Sequence, residues 1–135
     1  MDIVSPGNSL LRKTTKTVTF TGAAGLGAQG AVPLFTVTGA VDISAIMGKC
    51  TTTLVGVNST LALGVTGATT LFIGATSGPA ITSTNAIWIS TTPTAAGLAL
   101  PAAMKDIVVM ANIIGTVGTA DITAGVLVIT AYWLP

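Results

Sequence analysis

GVLVITAYWL, residues 125–134, is the stretch on which the fold turns. It is a nearly continuous run of β-branched, aliphatic and aromatic residues, the composition of a central strand buried on both faces. Residues 106–114 read the same way. Working outward, the period of the apolar residues is two. Thr17-Val18-Thr19-Phe20-Thr21 alternates, as do residues 34–38, and Val41, Ile43 and Ala45 alternate with Asp42, Ser44 and Ile46. Leu61, Leu63 and Val65 share one face, and residues 86–90 form a short buried strand. Gly, Asn or Pro clusters at 22–30, 39, 56–59, 67, 78–79 and 118–125 separate these runs. Strands of this length between turn signals predict an all-β, single-domain antiparallel β-sandwich. Helical spacing is nearly absent: residues 98–104, with Pro101 placed for a first turn, are the best candidate, and residues 69–75 fit either a strand or a short helical turn.

Composition narrows the function. Of 135 residues, 50% are hydrophobic and 7% charged, with 24 Thr, 20 Ala and 16 Gly. The chain has no His, its four acids are all Asp, and the net charge is +1. Without His or Glu, and with Cys50 alone, the usual general-base and metal-ligand sets cannot be assembled, so neither an enzyme nor a cofactor is expected. Near-neutrality argues against capture of nucleic acid by counterion release. Mean hydropathy is +0.86, yet Thr, Gly, Ser, Asn or Pro interrupt every apolar run, so no transmembrane helix is predicted. Six aromatics are too few for the girdles of a membrane barrel. The opening residues, with Asp2 ahead of the apolar positions and the basic ones after them, reverse the order of a secretory signal, so no export signal and no membrane partner are expected. Thr suits pleated strands and adds a polar atom without a charge. A Thr-faced sandwich lacking edge charges is a surface that needs covering by an oligomer or a docked subunit.

Charge is uneven along the chain. Three of the five basic residues, Arg12, Lys13 and Lys16, lie in residues 1–16, which net +2 against −1 for the rest. Residues 1–16 are therefore read as an N-terminal arm and residues 17–135 as the β-sandwich domain. Ile3, Val4, Leu10 and Leu11, with those three cations, are the candidate contact residues for an acidic neighbouring surface.

The remaining motifs yield to structural readings. Gly25-Leu26-Gly27-Ala28-Gln29-Gly30 matches a dinucleotide fingerprint, but a strand with Pro33, not a helix, follows it. Lys105-Asp106 and the pair Ser44 and Lys49 have no catalytic partner in sequence. The Thr-x-Thr pairs have no fixed spacing and describe outward Thr on strands, not an ice-binding ladder. Trp88, Tyr132 and Trp133 are assigned to core packing over a glycan platform, and Cys50 to a small buried hydrophobe.

The segment Lys16-Thr-Val-Thr-Phe20, the Gly-rich loop, Val32-Pro-Leu-Phe-Thr-Val37, Leu61-Ala-Leu-Gly-Val65 and the closing strand to Pro135 together resemble small head proteins of tailed bacteriophages, in particular decoration (cement) proteins. That resemblance implies a jelly-roll-like sandwich that forms a homotrimer on the outer surface of an icosahedral capsid in the virion. It also implies a terminal arm, here residues 1–16, that clamps the major capsid protein. The competing readings are another virion subunit, such as a tail, baseplate or fibre module, and a carbohydrate-binding β-sandwich.

Overall fold

The alternation in sequence corresponds to strands in space. The computed structural model describes residues 11–95 and 106–135. Among these, β1 spans Arg12–Thr19, β2 Gly30–Phe35, β3 Val41–Val55, β4 Thr60–Val65, β5 Ala68–Ser77, β6 Ile87–Trp88, β7 Ile107–Val109, β8 Ile113–Gly118 and β9 Ala124–Leu134. A 3-10 turn, Gly78–Ala80, follows β5. The strands form two antiparallel sheets, an all-β sandwich. One sheet runs β1-β9-β3-β6, with β7 also on β3, and the other runs β2-β8-β4-β5.

The core lies between the sheets because each contributes one apolar face. In the first, Val18, Leu127 and Cys50 stand in one cross-strand row, and Thr14, Ala131 and Ile46 in another. In the second, Val32, Gly115 and Leu63 align, as do Leu61 and Val117. Trp88 is fully buried among them, and its Nε1–H donates to Thr76 Oγ1 at 2.9 Å. The ring leaves no room on the facing strand: a Cβ at Gly48 would sit 2.9 Å from Trp88 Cε3 and 3.2 Å from Ile129 Cδ1. Glycine in mid-strand marks that close approach.

The structure corrects three expectations and decides a fourth that the sequence leaves open. Residues 125–134 do form a central strand, between β1 and β3, but only one face is buried. Val126, Val128, Thr130 and Tyr132 point outward and are half-buried. Residues 106–114 are not one strand; they divide into β7 and β8, in different sheets. Asn112 makes the crossing: its Oδ1 accepts the Val37 N–H at 2.9 Å and its carbonyl the Thr66 N–H at 3.1 Å. Residues 69–75 belong to β5 and are not helical. The strand expected from Thr17 begins at Arg12. Residues 98–104, the helical candidate, and Lys105 lie outside the described residues.

The glycine-rich segment 22–30 is an inter-strand loop leading into β2, as its following residues indicate. Gly27 is in the left-handed region at φ +118, and its carbonyl accepts the Ile122 N–H at 2.8 Å. A side chain there would collide with the Ile122 carbonyl, so this glycine seats one end of the sandwich.

Candidate functional site

The positions where a sandwich strand should be buried, but is not, mark the site. On β1 the inward-facing positions are Arg12, Thr14, Lys16 and Val18, in register with Trp133, Ala131, Ile129 and Leu127 of β9. Of these four only Val18 is buried. The reason lies across the cleft. Strand β2 carries a register shift between Pro33 and Phe35 and ends there. The chain then leaves through residues 36–40, held by the Val37 to Asn112 hydrogen bond. Opposite Arg12, Thr14 and Lys16 the sheets therefore part around a groove of about 640 Å³. Leu34, Phe35 and Val37 line one wall, and Val41 and Trp133 lie on the side of the β1 sheet.

The cations of this edge are organised by aromatic partners. Arg12 and Trp133 are directly opposed, with the guanidinium carbon 5.2 Å from the ring centroid. Lys13 and Tyr132 are the next pair, on the other face, with Nζ at 5.9 Å. Trp133 Nε1–H donates to Thr14 Oγ1 at 2.9 Å, which fixes the indole against β1. Exposed cation–π pairs of this kind contribute about 0.5–1 kcal/mol each. No Asp or Glu side chain lines the groove. The arrangement offers two cations, threonine hydroxyls and apolar walls, which suits binding of an amphipathic anionic group.

Among the predicted contact residues, Arg12, Lys13 and Lys16 lie on β1, with Arg12 and Lys16 facing the groove and Lys13 the opposite face. Leu11 is exposed just ahead of the strand. Ile3, Val4 and Leu10 lie outside the described residues. Sequence reasoning missed Tyr132 and Trp133 as partners of the cations, having assigned both to the core; both are only half-buried. The available signal was the alternation of Arg12 and Lys13 on one strand against adjacent aromatics at the end of another. Only Trp88 of the three aromatics is wholly core.

Other candidate chemistry separates. Ser44 and Lys49 both lie on β3, five positions apart, and Asp106 is exposed ahead of β7. Among the described residues no three His, Cys, Asp or Glu side chains gather to hold a metal ion, and no helix is long and apolar enough to cross a membrane. Cys50 is buried, its thiol donating to the Thr52 carbonyl at 3.1 Å. Burial pushes the thiol above its ordinary pKa, partly offset by backbone hydrogen bonds at Leu54 and Thr52.

Neither a protein-family model nor a curated protein matches the chain. Its fold is similar to that of a chain in the cyanophage Pam1 capsid asymmetric unit, at a TM-score of 0.51 and 17% identity. The likeness covers 100% of this chain and 94% of that one.

Proposed function

We propose that the protein is a structural subunit of a bacteriophage virion that decorates and stabilises the outer surface of the capsid as a homotrimer, without catalysis. The observation that carries this reading is the end-to-end likeness to a chain of a phage capsid assembly, with 94% of that chain covered. The match runs over nearly the whole of both chains, so the likeness is of the fold as a unit. The sheet orders β1-β9-β3-β6 and β2-β8-β4-β5, with the chain passing repeatedly between sheets, support a jelly-roll classification.

The surface supports an assembling role. On the outer face of the first sheet, Val126, Val128 and Tyr132 are half-buried beside Thr15, Thr17 and Thr19. Such a face becomes an interface core when a neighbouring copy covers it. Closed symmetry then gives a rigid trimer, and three modest capsid contacts add as avidity. Residues 1–16 supply the contact with the major capsid protein in this reading: Ile3, Val4, Leu10 and Leu11 give apolar area and Arg12, Lys13 and Lys16 the charge. Neither nucleic acid, membrane nor cofactor has a part in it.

The test is co-sedimentation of the purified protein with empty capsids, together with its mass in solution by light scattering. A trimer that saturates capsids, and loses saturation when residues 1–10 are deleted, supports the proposal. A monomer that remains in the supernatant at micromolar concentration overturns it.

A further inference from the structure

A sandwich has four sheet edges, and here three of them are blunted. Among the described residues, β6 and β7, which share one edge of the first sheet, are two and three residues long. Edge strand β2 contains Pro33 and a register shift, and edge strand β5 has two register shifts against β4. Short strands, proline and bulges are the usual devices that stop a free edge from pairing. Strand β1 has none of these three; the device it carries is charge, Arg12, Lys13 and Lys16, which repels a like strand and admits an acidic one. Its eight residues pair with β9 in one unbroken register, without proline.

Among the described residues no strand pairs with the outer edge of β1, and the backbone groups that face it can be assigned. The Phe20 N–H donates to the Gly125 carbonyl at 2.9 Å, continuing the β1–β9 register. Alternation in an antiparallel pair then turns the backbone of Thr14, Lys16 and Val18 toward β9, and that of Lys13, Thr15 and Thr17 toward the open edge. Beside this strip, Arg12 and Lys16 face a groove lined by no Asp or Glu side chain, and Lys13 lies over Tyr132 on the outer face.

We infer that β1 is a strand-addition site for an extended, carboxylate-bearing segment of a protein partner. The segment pairs its backbone with Lys13, Thr15 and Thr17. Its groove-side residues set carboxylates against Arg12 and Lys16, and apolar groups against Leu34 and Phe35. A second β1 is excluded as occupant because it would bring two clusters of three cations together. A phosphate backbone would meet the cations but leave the N–H and C=O strip unpaired. This deepens the contact role proposed for Arg12, Lys13 and Lys16, and rests on that reading only for the partner's identity.

The probe is a capped peptide alternating aspartate with valine, about as long as β1, titrated into the full-length protein and followed by amide NMR and hydrogen exchange. Saturable shifts on β1 are expected, with new exchange protection at Lys13, Thr15 and Thr17. Preference over the matching lysine peptide should be at least about tenfold, since close charge pairs at an interface are worth that much or more. R12E/K16E is expected to reverse the preference. Thr17→Pro removes one outward N–H at an edge position where proline is tolerated, and is expected to abolish binding while leaving the remaining spectrum intact. Equal binding of both peptides, shifts without protection at the three amides, or no saturation at millimolar peptide overturns the inference. Peptide binding is read without capsids, so its failure and a failure of capsid co-sedimentation are separate results.

Discussion

One inter-sheet cleft has two unlike halves along the β1 side. In the closed half Val18 and Phe20 meet Val32, Leu34 and Trp88, and the residual void is about 10 Å³. In the open half Arg12, Thr14 and Lys16 of the same strand border a groove of about 640 Å³. Backbone geometry does not separate them, because β1 keeps one register throughout. The side chains and the end of β2 do. Closed packing spends the inward positions on stability; leaving them polar and uncovered keeps them for a partner.

That contrast can be broken by substitution. The largest effect is expected in the closed half: Trp88→Ala opens a cavity and removes the indole donor to Thr76, a loss of about 3–5 kcal/mol by urea denaturation. Next is Gly48→Ala, whose added methyl meets the Trp88 ring and Ile129, a loss of about 1–3 kcal/mol in the same assay. Cys50, in the row of Val18 and Leu127, titrates above its ordinary range when folded. The neutral thiol favours the folded state, so its contribution is complete below the ordinary thiol pKa and is lost as pH rises through the folded value. Native protein should therefore react slowly with iodoacetamide at pH 8 and rapidly once unfolded; equal rates would place the thiol at the surface. In the open half Trp133→Phe loses the bond to Thr14 and weakens the Arg12 contact, about 1 kcal/mol. Lys16→Ala should leave the denaturation midpoint within about 0.5 kcal/mol, a result that would sharpen the division if binding alone suffers. Comparable losses from Trp88→Ala and Lys16→Ala would erase it.

The cleft also shows what was legible beforehand. Val18 and Phe20 were readable as inward because alternation is a property of neighbours in the chain. The break between β7 and β8 was not, since Val108, Met110 and Ile114 look alike in a hydrophobic run and only Asn112, bonded to Val37, reveals a change of sheet. The cations of residues 1–16 were legible as a cluster; that Thr14, Thr15 and Thr17 carry a strand back to Arg12 was not.

Sequence by itself determined an all-β chain with Thr-rich strands, a glycine loop without a dinucleotide site, and basic charge gathered at one end. Those are local quantities, set by the two-residue period, by turn residues and by composition. Only the tertiary structure decided that β1 lies beside β9, that Arg12 rests on Trp133, and that β2 ends early enough to leave the groove open. Trp133 and Thr14 are 119 positions apart, and no periodicity within either strand names its partner across that distance. Pairing is decided by which apolar faces close the core together, and the free edge is what that closure leaves over.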